Sequence, residues 1–148
     1  CPARLVFLTS KAAKERLQPA LKPNNVDKTM SAPVTVIIAY DVAFWQYAER
    51  MFPQNPAVQL AFKDNPAGAE TAAFRNGSLQ GAYFIVAARA VGLDCGPMSG
   101  FDNTMVDEAF FAETMFRSNF LCNIGYGDAS KTFKRLPRLD FDVACQVL

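Results

Sequence analysis

The chain has 148 residues, of which 51% are hydrophobic and 20% charged, and 15 lysines and arginines nearly balance 14 aspartates and glutamates. This length suits one domain, residues 1–148, with a single core. A net charge of +1 without a large basic cluster argues against a nucleic acid as partner. The high apolar fraction predicts surface hidden against a second subunit or a flat ligand, so we expect an oligomer.

The four cysteines are widely spaced and no histidine accompanies them: Cys1, Cys95, Cys122 and Cys145. This composition excludes most metal sites and every Ser/His or Cys/His dyad, so no metal is expected. Three of the cysteines lie in apolar segments, which predicts reduced, mostly buried thiols in a cytoplasmic protein. No signal peptide is visible, and the longest apolar stretch, Ala82 to Ala88, is too short to span a membrane.

The first half of the chain predicts a strand, a helix, a turn and a second strand. The strand covers Arg4 to Leu8, and Ser10 can cap a helix that Pro19 ends or kinks. A turn at Lys22 to Asn25 precedes a nearly continuous apolar, β-branched run, Pro33 to Tyr40, which predicts a central strand covered on both faces.

Residues 41–66 contain five aromatic side chains interrupted by prolines, a composition that predicts short helical pieces forming a lid over a site. A long helix follows from Ala67 to Val91. Its C-terminal half is apolar all round, which predicts burial on all sides, and its small residues would let a helix of a second subunit approach. Gly92 is expected to cap this helix.

The second half continues with a loop of small residues, Leu93 to Gly100, and a helix from Asp102 to about Phe110. The pattern from Asn119 to Tyr126 predicts a strand. A basic tail then leads to a last short element at Phe141 to Leu148.

The segment Pro97-Met98-Ser99-Gly100 is a candidate ligand site. Small residues before a capped helix leave backbone N–H groups accessible, and such groups can stabilise the negative charge that a flavin acquires on accepting a hydride. The alternative is an ordinary connection that ends in an Asp cap. The carboxylates at 94, 102, 107 and 108 are assigned to caps and exposed helix faces, so no side chain is designated catalytic.

Arg135 and Arg138 form a second candidate cluster around Pro137, beside Lys134 and Lys131. Two guanidinium groups on a proline-stiffened turn suit a phosphate monoester. A short basic stretch near a C-terminus is also typical of solvated surface, and this alternative stays open.

Taken in order, these segments resemble the nitroreductase superfamily of FMN-dependent NAD(P)H reductases. The resemblance rests on Pro2 with the strand after it, the run from Ala87 to Asp94 at the end of the long helix, the run from Cys95 to Asp102 and the late Arg135/Arg138 pair. Residues 74–83, 93–102 and 118–128 are most similar to the malonic semialdehyde reductase branch of the pyrimidine-utilisation pathway.

The resemblance implies an α+β sandwich with a central mixed β-sheet flanked by helices, and a homodimer formed through long central helices and exchanged terminal segments. It implies FMN at the subunit interface, held by Pro97, Met98, Ser99 and Gly100 along the ring and by Arg135 and Arg138 at the phosphate. Ser99 and Gly100 would donate near the ring atoms N5 and O4. Members of the superfamily also carry an N-terminal helical region with phosphate ligands, which is absent from this sequence.

The activity implied is ping-pong hydride transfer from NADH or NADPH, by way of FMN, to a small carbonyl compound, with malonic semialdehyde reduced to 3-hydroxypropionate as the expected reaction. Two alternatives remain open: a nitro, quinone or enone reductase of broad acceptance, and an idle flavin-binding module.

Overall fold

The computed structural model describes residues 1–148, and its centre is a four-stranded antiparallel sheet in the order β1-β2-β4-β3. The strands are β1 (Ala3–Leu8), β2 (Val34–Asp41), β3 (Asp94–Met98) and β4 (Phe116–Gly125). β2 is therefore a central strand, as predicted. The predicted α+β class is confirmed, although every strand pairing within this chain is antiparallel where a mixed sheet was expected.

The α-helices are α1 (Lys11–Leu17), α2 (Pro23–Ser31), α3 (Ala48–Met51), α4 (Ala57–Leu60), α5 (Pro66–Ala90), α6 (Asn103–Phe111) and α7 (Phe141–Ala144). Short 3-10 turns occupy Gln18–Ala20, Phe44–Tyr47, Ala61–Asp64 and Ala129–Lys131. The predicted caps are confirmed, since Ser10 accepts from the Ala13 amide and Asp102 from the Met105 amide.

The two faces of the sheet carry separate hydrophobic clusters because side chains alternate along a strand. On one face Ile37 and Leu121 pack with Val106 and with other residues of α1 and α6. On the other face Ile38 and the rest of a smaller cluster pack against α5. β2 is buried from Thr35 to Asp41, which agrees with its apolar, β-branched sequence.

The long helix is confirmed, but its burial differs from the prediction. Only one face of α5 is buried, while Leu79 (58%), Tyr83 (77%) and Val86 (65%) are exposed within the chain. Its buried glycines allow side chains of the sheet, and not another helix, to pack closely against α5. A Cβ on Gly81 would lie 2.7 Å from the Phe120 ring, and one on Gly77 would lie 2.9 Å from Tyr40 Cβ. Gly92 caps the helix with φ +87°, as predicted.

Two segments predicted to be irregular are regular. Lys22 to Asn25 is not a turn but the start of α2, where Pro23 occupies the first helical position, at which its missing N–H costs nothing. Most of the predicted loop Leu93 to Gly100 is β3, paired with β4 from Asp94 to Met98. Gly96 and Pro97 concealed this strand, since glycine weakens a strand and proline is tolerated only where, as in β3, the strand lies at the edge of the sheet.

Residues 41–66 form short helical pieces, as predicted. Asp41 begins the excursion, and its carboxylate binds Arg4 at 2.6 Å and accepts from the Ala43 amide. The centroids of the Phe44 and Phe62 rings lie 5.1 Å apart, so residues near the two ends of this segment pack against each other.

The tail from Tyr126 to Leu148 is exposed throughout. The prediction of mostly buried cysteines is wrong: all four are free, but Cys1 and Cys145 are exposed and only Cys122 is fully buried. No helix combines the length and apolarity that a bilayer crossing requires.

Candidate functional site

A groove of about 750 Å³ lies at the edge of the sheet, between β3, the end of β4 and the C-terminal end of α2. Pro97 and Met98 line it from β3, Lys28 and Ser31 from α2, and Asn123, Tyr126, Lys131 and Thr132 from β4 and the segment that follows. Its two lysines are balanced by two aspartates, Asp94 and Asp128. The groove therefore has no excess of either charge.

The Ser99–Gly100 segment continues from β3 beyond this groove. Ser99 is exposed, and neither the Ser99 nor the Gly100 amide donates a hydrogen bond to any group of this chain. The Gly100 carbonyl, in contrast, accepts from Asn25 Nδ2 at 2.8 Å and from the Lys22 amide at 3.0 Å. Two adjacent free donors on a fixed backbone can hold a group that bears negative charge.

The wall formed by α2 is fixed by buried polar groups. Lys14 is 7% exposed, and its ammonium group donates to the carbonyls of Met30 at 2.9 Å and of Ala32. A cation at these last carbonyls satisfies acceptors that the helix itself leaves unpaired. Asn123 joins this wall to β4, because its Nδ2 donates to the Lys28 carbonyl at 3.2 Å while its Oδ1 accepts from Thr35 Oγ1 at 2.7 Å.

Asp94 fixes the start of β3 to the segment after β4. Its Oδ2 accepts from the Gly127 amide at 2.8 Å, and its Oδ1 pairs with Arg89. The Gly127 hydrogen bond is the main cause that lowers the pKa of Asp94; desolvation opposes it, and the charge and the hydrogen bond of Arg89 lower the pKa further. Asp94 thus acts as a structural anion at the groove rim and not as a proton donor at neutral pH.

Cys122 lies under the groove, opposite Pro97 in the strand register, with Cys95 as a near neighbour. Burial, followed by the adjacent Cys95 thiol, raises the pKa of Cys122 to about 12. Because only a thiolate is an effective nucleophile, Cys122 stays inert at neutral pH.

The structure brings together only part of the predicted site. Pro97 and Met98 line the groove, and Ser99 and Gly100 adjoin it in sequence. Arg135 and Arg138 lie in the exposed tail and do not line the groove; Arg138 donates to the carbonyl of Leu136 at 2.7 Å. Lys131 is the member of the basic stretch that reaches the groove.

Sequence reasoning missed Asn25, Lys14 and Asn123, the buried or half-buried polar residues that fix the groove and its loop. Asn25 and Thr29 are four positions apart on one buried face of α2, and this period was the available signal. Interpreting Lys22 to Asn25 as a turn concealed it. Lys14 lies among exposed charged residues of α1, and nothing in the sequence separates it from them.

Known proteins similar to this chain agree on one family. Residues 2–126 match the Nitroreductase family. A protein of Cupriavidus pinatubonensis, provisionally named NADH dehydrogenase/NAD(P)H nitroreductase, is 55% identical over 99% of this chain and 76% of its own length. Another so named, HadB of Ralstonia pickettii, is 58% identical over 97% of this chain and 74% of its own.

A solved structure shows the same fold at low sequence identity. The crystal structure of a protein from Exiguobacterium sibiricum, provisionally named a nitroreductase and in complex with FMN, matches with a TM-score of 0.87 and 18% identity, covering 99% of this chain and 77% of that one. The family match spans most of the chain, and two relatives share more than half of its residues. This chain belongs to the nitroreductase family.

Proposed function

We propose that this chain is an FMN-dependent oxidoreductase that uses NAD(P)H, as members of the nitroreductase family do. The observation that carries the proposal is the pair of free backbone donors at Ser99 and Gly100, on a loop whose carbonyl side is fixed. These donors suit the polar edge of a flavin ring. Pro97 and Met98, which line the adjoining groove, offer it an apolar contact.

When bound, FMN supplies the hydride chemistry, accepting two electrons from NAD(P)H and passing them to an acceptor. The Ser99 and Gly100 amides stabilise negative charge at the ring edge, and they do so without a charged side chain that would have to be desolvated. No histidine is present, and Asp102 is engaged as the cap of α6. The proton that accompanies the hydride therefore comes from water or from a group of the substrate.

The proposed phosphate ligands, Arg135 and Arg138, lie on the exposed tail. We propose that they bind FMN within a homodimer, where the tail crosses to the second subunit and α5 packs against its counterpart. The exposed Leu79, Tyr83 and Val86 of α5 support this arrangement, because a contiguous apolar face of this kind favours association. Family members are typically dimers.

For the acceptor, the residues that resemble the malonic semialdehyde reductase branch favour reduction of malonic semialdehyde to 3-hydroxypropionate. The second candidate is a nitro compound, and the names of the two relatives favour it. Quinones and enones are further acceptors within the same class.

The free thiols favour a cytoplasmic location. We also propose that residues 41–66 act as a lid over the bound substrate.

An absorbance spectrum of the purified protein tests the cofactor first. We expect the flavin bands of FMN, bleached by NADH or NADPH and restored by the acceptor. Separate reoxidation of the reduced protein by malonic semialdehyde, a nitroaromatic, a quinone and an enone then ranks the acceptors. Bound flavin that neither nicotinamide reduces would leave only an idle flavin-binding module.

A matched pair of variants tests the role of the amides. Pro has no N–H, so Ser99→Pro removes one proposed donor, whereas Ser99→Ala retains it. We expect Ser99→Ala to keep wild-type affinity for FMN and Ser99→Pro to weaken it by about tenfold or more, as the loss of one hydrogen bond to a charged group predicts. Equal affinities in the two variants would contradict the role of the Ser99 amide.

A further inference from the structure

Asn25 is a buried polar side chain far in sequence from the proposed cofactor loop. It lies in the first turn of α2, is 5% exposed, and donates from Nδ2 to the Gly100 carbonyl at 2.8 Å. The Lys22 amide donates to the same oxygen at 3.0 Å. The start of α2 therefore gives the half-buried Gly100 carbonyl two donors, although one hydrogen bond is enough to satisfy a carbonyl group.

The contact explains why residue 100 is a glycine. An ideal Cβ at this position would overlap Asn25 Nδ2 and lie 3.3 Å from Asn25 Cγ, so a side chain at 100 and the buried amide exclude each other. A glycine permits the close approach but leaves its own backbone free to rotate. The two hydrogen bonds on its carbonyl offset that freedom.

The residues after Gly100 are fixed to the same part of the fold. Phe101 is 6% exposed and pairs with Leu21 in an isolated antiparallel bridge. The Asp102 amide donates to the Ala20 carbonyl at 2.8 Å. The loop is thus held from Gly100 onward, while the Ser99 and Gly100 amides immediately before the fixed carbonyl stay unpaired.

We infer that Asn25 is a positioning residue: by holding the Gly100 carbonyl it orients the two free amides toward the flavin ring. The inference rests on the proposed function. Donors that are fixed before the ligand arrives need no reorganisation as charge develops on the ring, so the contact controls how tightly the oxidised and reduced cofactor are bound. Asn25 itself touches neither cofactor nor substrate.

The test compares Asn25 with Asn24, the exposed neighbour in the same helical turn. Asn25→Ala removes the donor, and Asn25→Asp keeps the size of the side chain but replaces the donor by an acceptor. Asn24→Ala and Asn24→Asp are the matched controls, the latter adding the same charge one residue away. A carboxylate in the first turn of a helix favours the helix, which offsets part of the cost of burying the charge in Asn25→Asp, and Asn25→Ala introduces no charge.

Two quantities are measured on the full chain: the dissociation constant of FMN, by fluorescence titration of the apoprotein, and the midpoint potential of the flavin at saturating FMN. We expect both Asn25 variants to bind FMN about tenfold more weakly, as loss of one well-made hydrogen bond predicts, and to shift the potential. Both Asn24 variants should match the wild type. The potential is the informative readout, because a change that affects stability alone would leave it unaltered.

Three outcomes overturn the inference in distinguishable ways. A wild-type chain that binds no FMN removes the proposed function and the role of Asn25 together. Wild-type binding with Asn25 and Asn24 variants that agree in both quantities removes the role of Asn25 alone. Loss of folding in both Asn25 variants but in neither Asn24 variant would assign Asn25 to the fold and not to the cofactor.

Discussion

The Ser99–Gly100 loop and the basic tail were expected to bind the same ligand, yet they differ in how firmly the rest of the chain fixes them. The loop is fixed by Asn25, Lys22 and the buried Phe101. Arg135 and Arg138 lie on the exposed tail, and its apolar side chains are not buried by this chain: Phe133 is 96% exposed and Val147 is 84% exposed. The core of this chain therefore fixes the loop that is proposed to contact the ring, and it does not fix the tail that is proposed to bind the phosphate.

The difference shows which determinants are local. A loop between a paired strand and a capped helix inherits its geometry from both neighbours, since β3 pairs with β4 and Asp102 caps α6. The tail is exposed throughout, so packing against the core of this chain does not fix its conformation. Its exposed apolar residues are consistent with the proposed crossing to a second subunit.

The largest expected effect separates the sheet from the tail. Ile37 is completely buried in the main cluster, so Ile37→Ala should lower the free energy of unfolding by about 4 kcal/mol, through lost burial and the cavity left behind. Val143 is 71% exposed, and Val143→Ala should change that free energy by less than about 0.5 kcal/mol in dilute protein. Urea denaturation measures both. Similar losses in the two variants would mean that the tail is part of the core.

A second effect lies within the fixed loop. Gly100→Ala places a methyl group against Asn25, and overpacking of this kind should lower the free energy of unfolding by about 2 kcal/mol. Adding Asn25→Ala makes room, so the double variant should lose less than the sum of the two single variants. Denaturation of the four proteins completes the cycle. Strict additivity would show that residues 25 and 100 do not interact.

The sequence predicted the regular elements better than the site. β2 and α5 were predictable because long apolar runs and capping glycines act locally, and Gly92 ends α5 as expected. β3 was missed because Gly96 and Pro97 are poor strand residues, and pairing with β4 outweighs that local preference. The exposed face of α5 was not predicted, because an apolar sequence indicates that a helix is buried but does not show whether its own sheet or a second chain buries it.

For the candidate site, the small residues before a cap mark Pro97 to Gly100 in the sequence, but the side chain that supports this loop has no such mark. Asn25 is 75 residues from Gly100, and a hydrogen bond over that separation leaves no pattern in one sequence. Arg135 and Arg138, the proposed phosphate ligands, form a charge pattern that the sequence shows directly, and in this chain they lie on the exposed tail.

A third effect concerns the tail itself. Arg135→Ala and Arg138→Ala should each weaken FMN binding by about tenfold, because each removes charge-assisted hydrogen bonds to the phosphate. The free energy of unfolding of the apoprotein should not change, since both side chains are exposed. Lys134→Ala is the matched control and should retain wild-type affinity. Riboflavin, which has no phosphate, should bind equally to all these proteins, and an equal loss for riboflavin would refute phosphate recognition.

The smallest effect concerns the connection between the sheet and the tail, where the Gly127 amide donates a hydrogen bond to Asp94. This hydrogen bond lowers the pKa of Asp94 below its usual 3.8, so the folded carboxylate releases its proton more readily than the unfolded one. The stabilisation is therefore fully present above about pH 4 and is lost as the pH falls through the folded pKa. Asp94→Asn should be less stable than the wild type at pH 6 and approach it in stability near pH 2.

The control is Asp64→Asn, at an exposed aspartate without an ion pair, which removes the same charge and should leave the protection of the Gly127 amide as it is in the wild type. Amide exchange at Gly127 supplies a local measurement, and its protection should fall with acidification in the wild type but not in Asp94→Asn. If the Gly127 amide exchanged equally fast in the wild type and in Asp94→Asn at pH 6, the hydrogen bond to Asp94 would not protect it, and the tail would be free from Gly127 onward. In that case the boundary between the fixed and the free region lies at the end of β4.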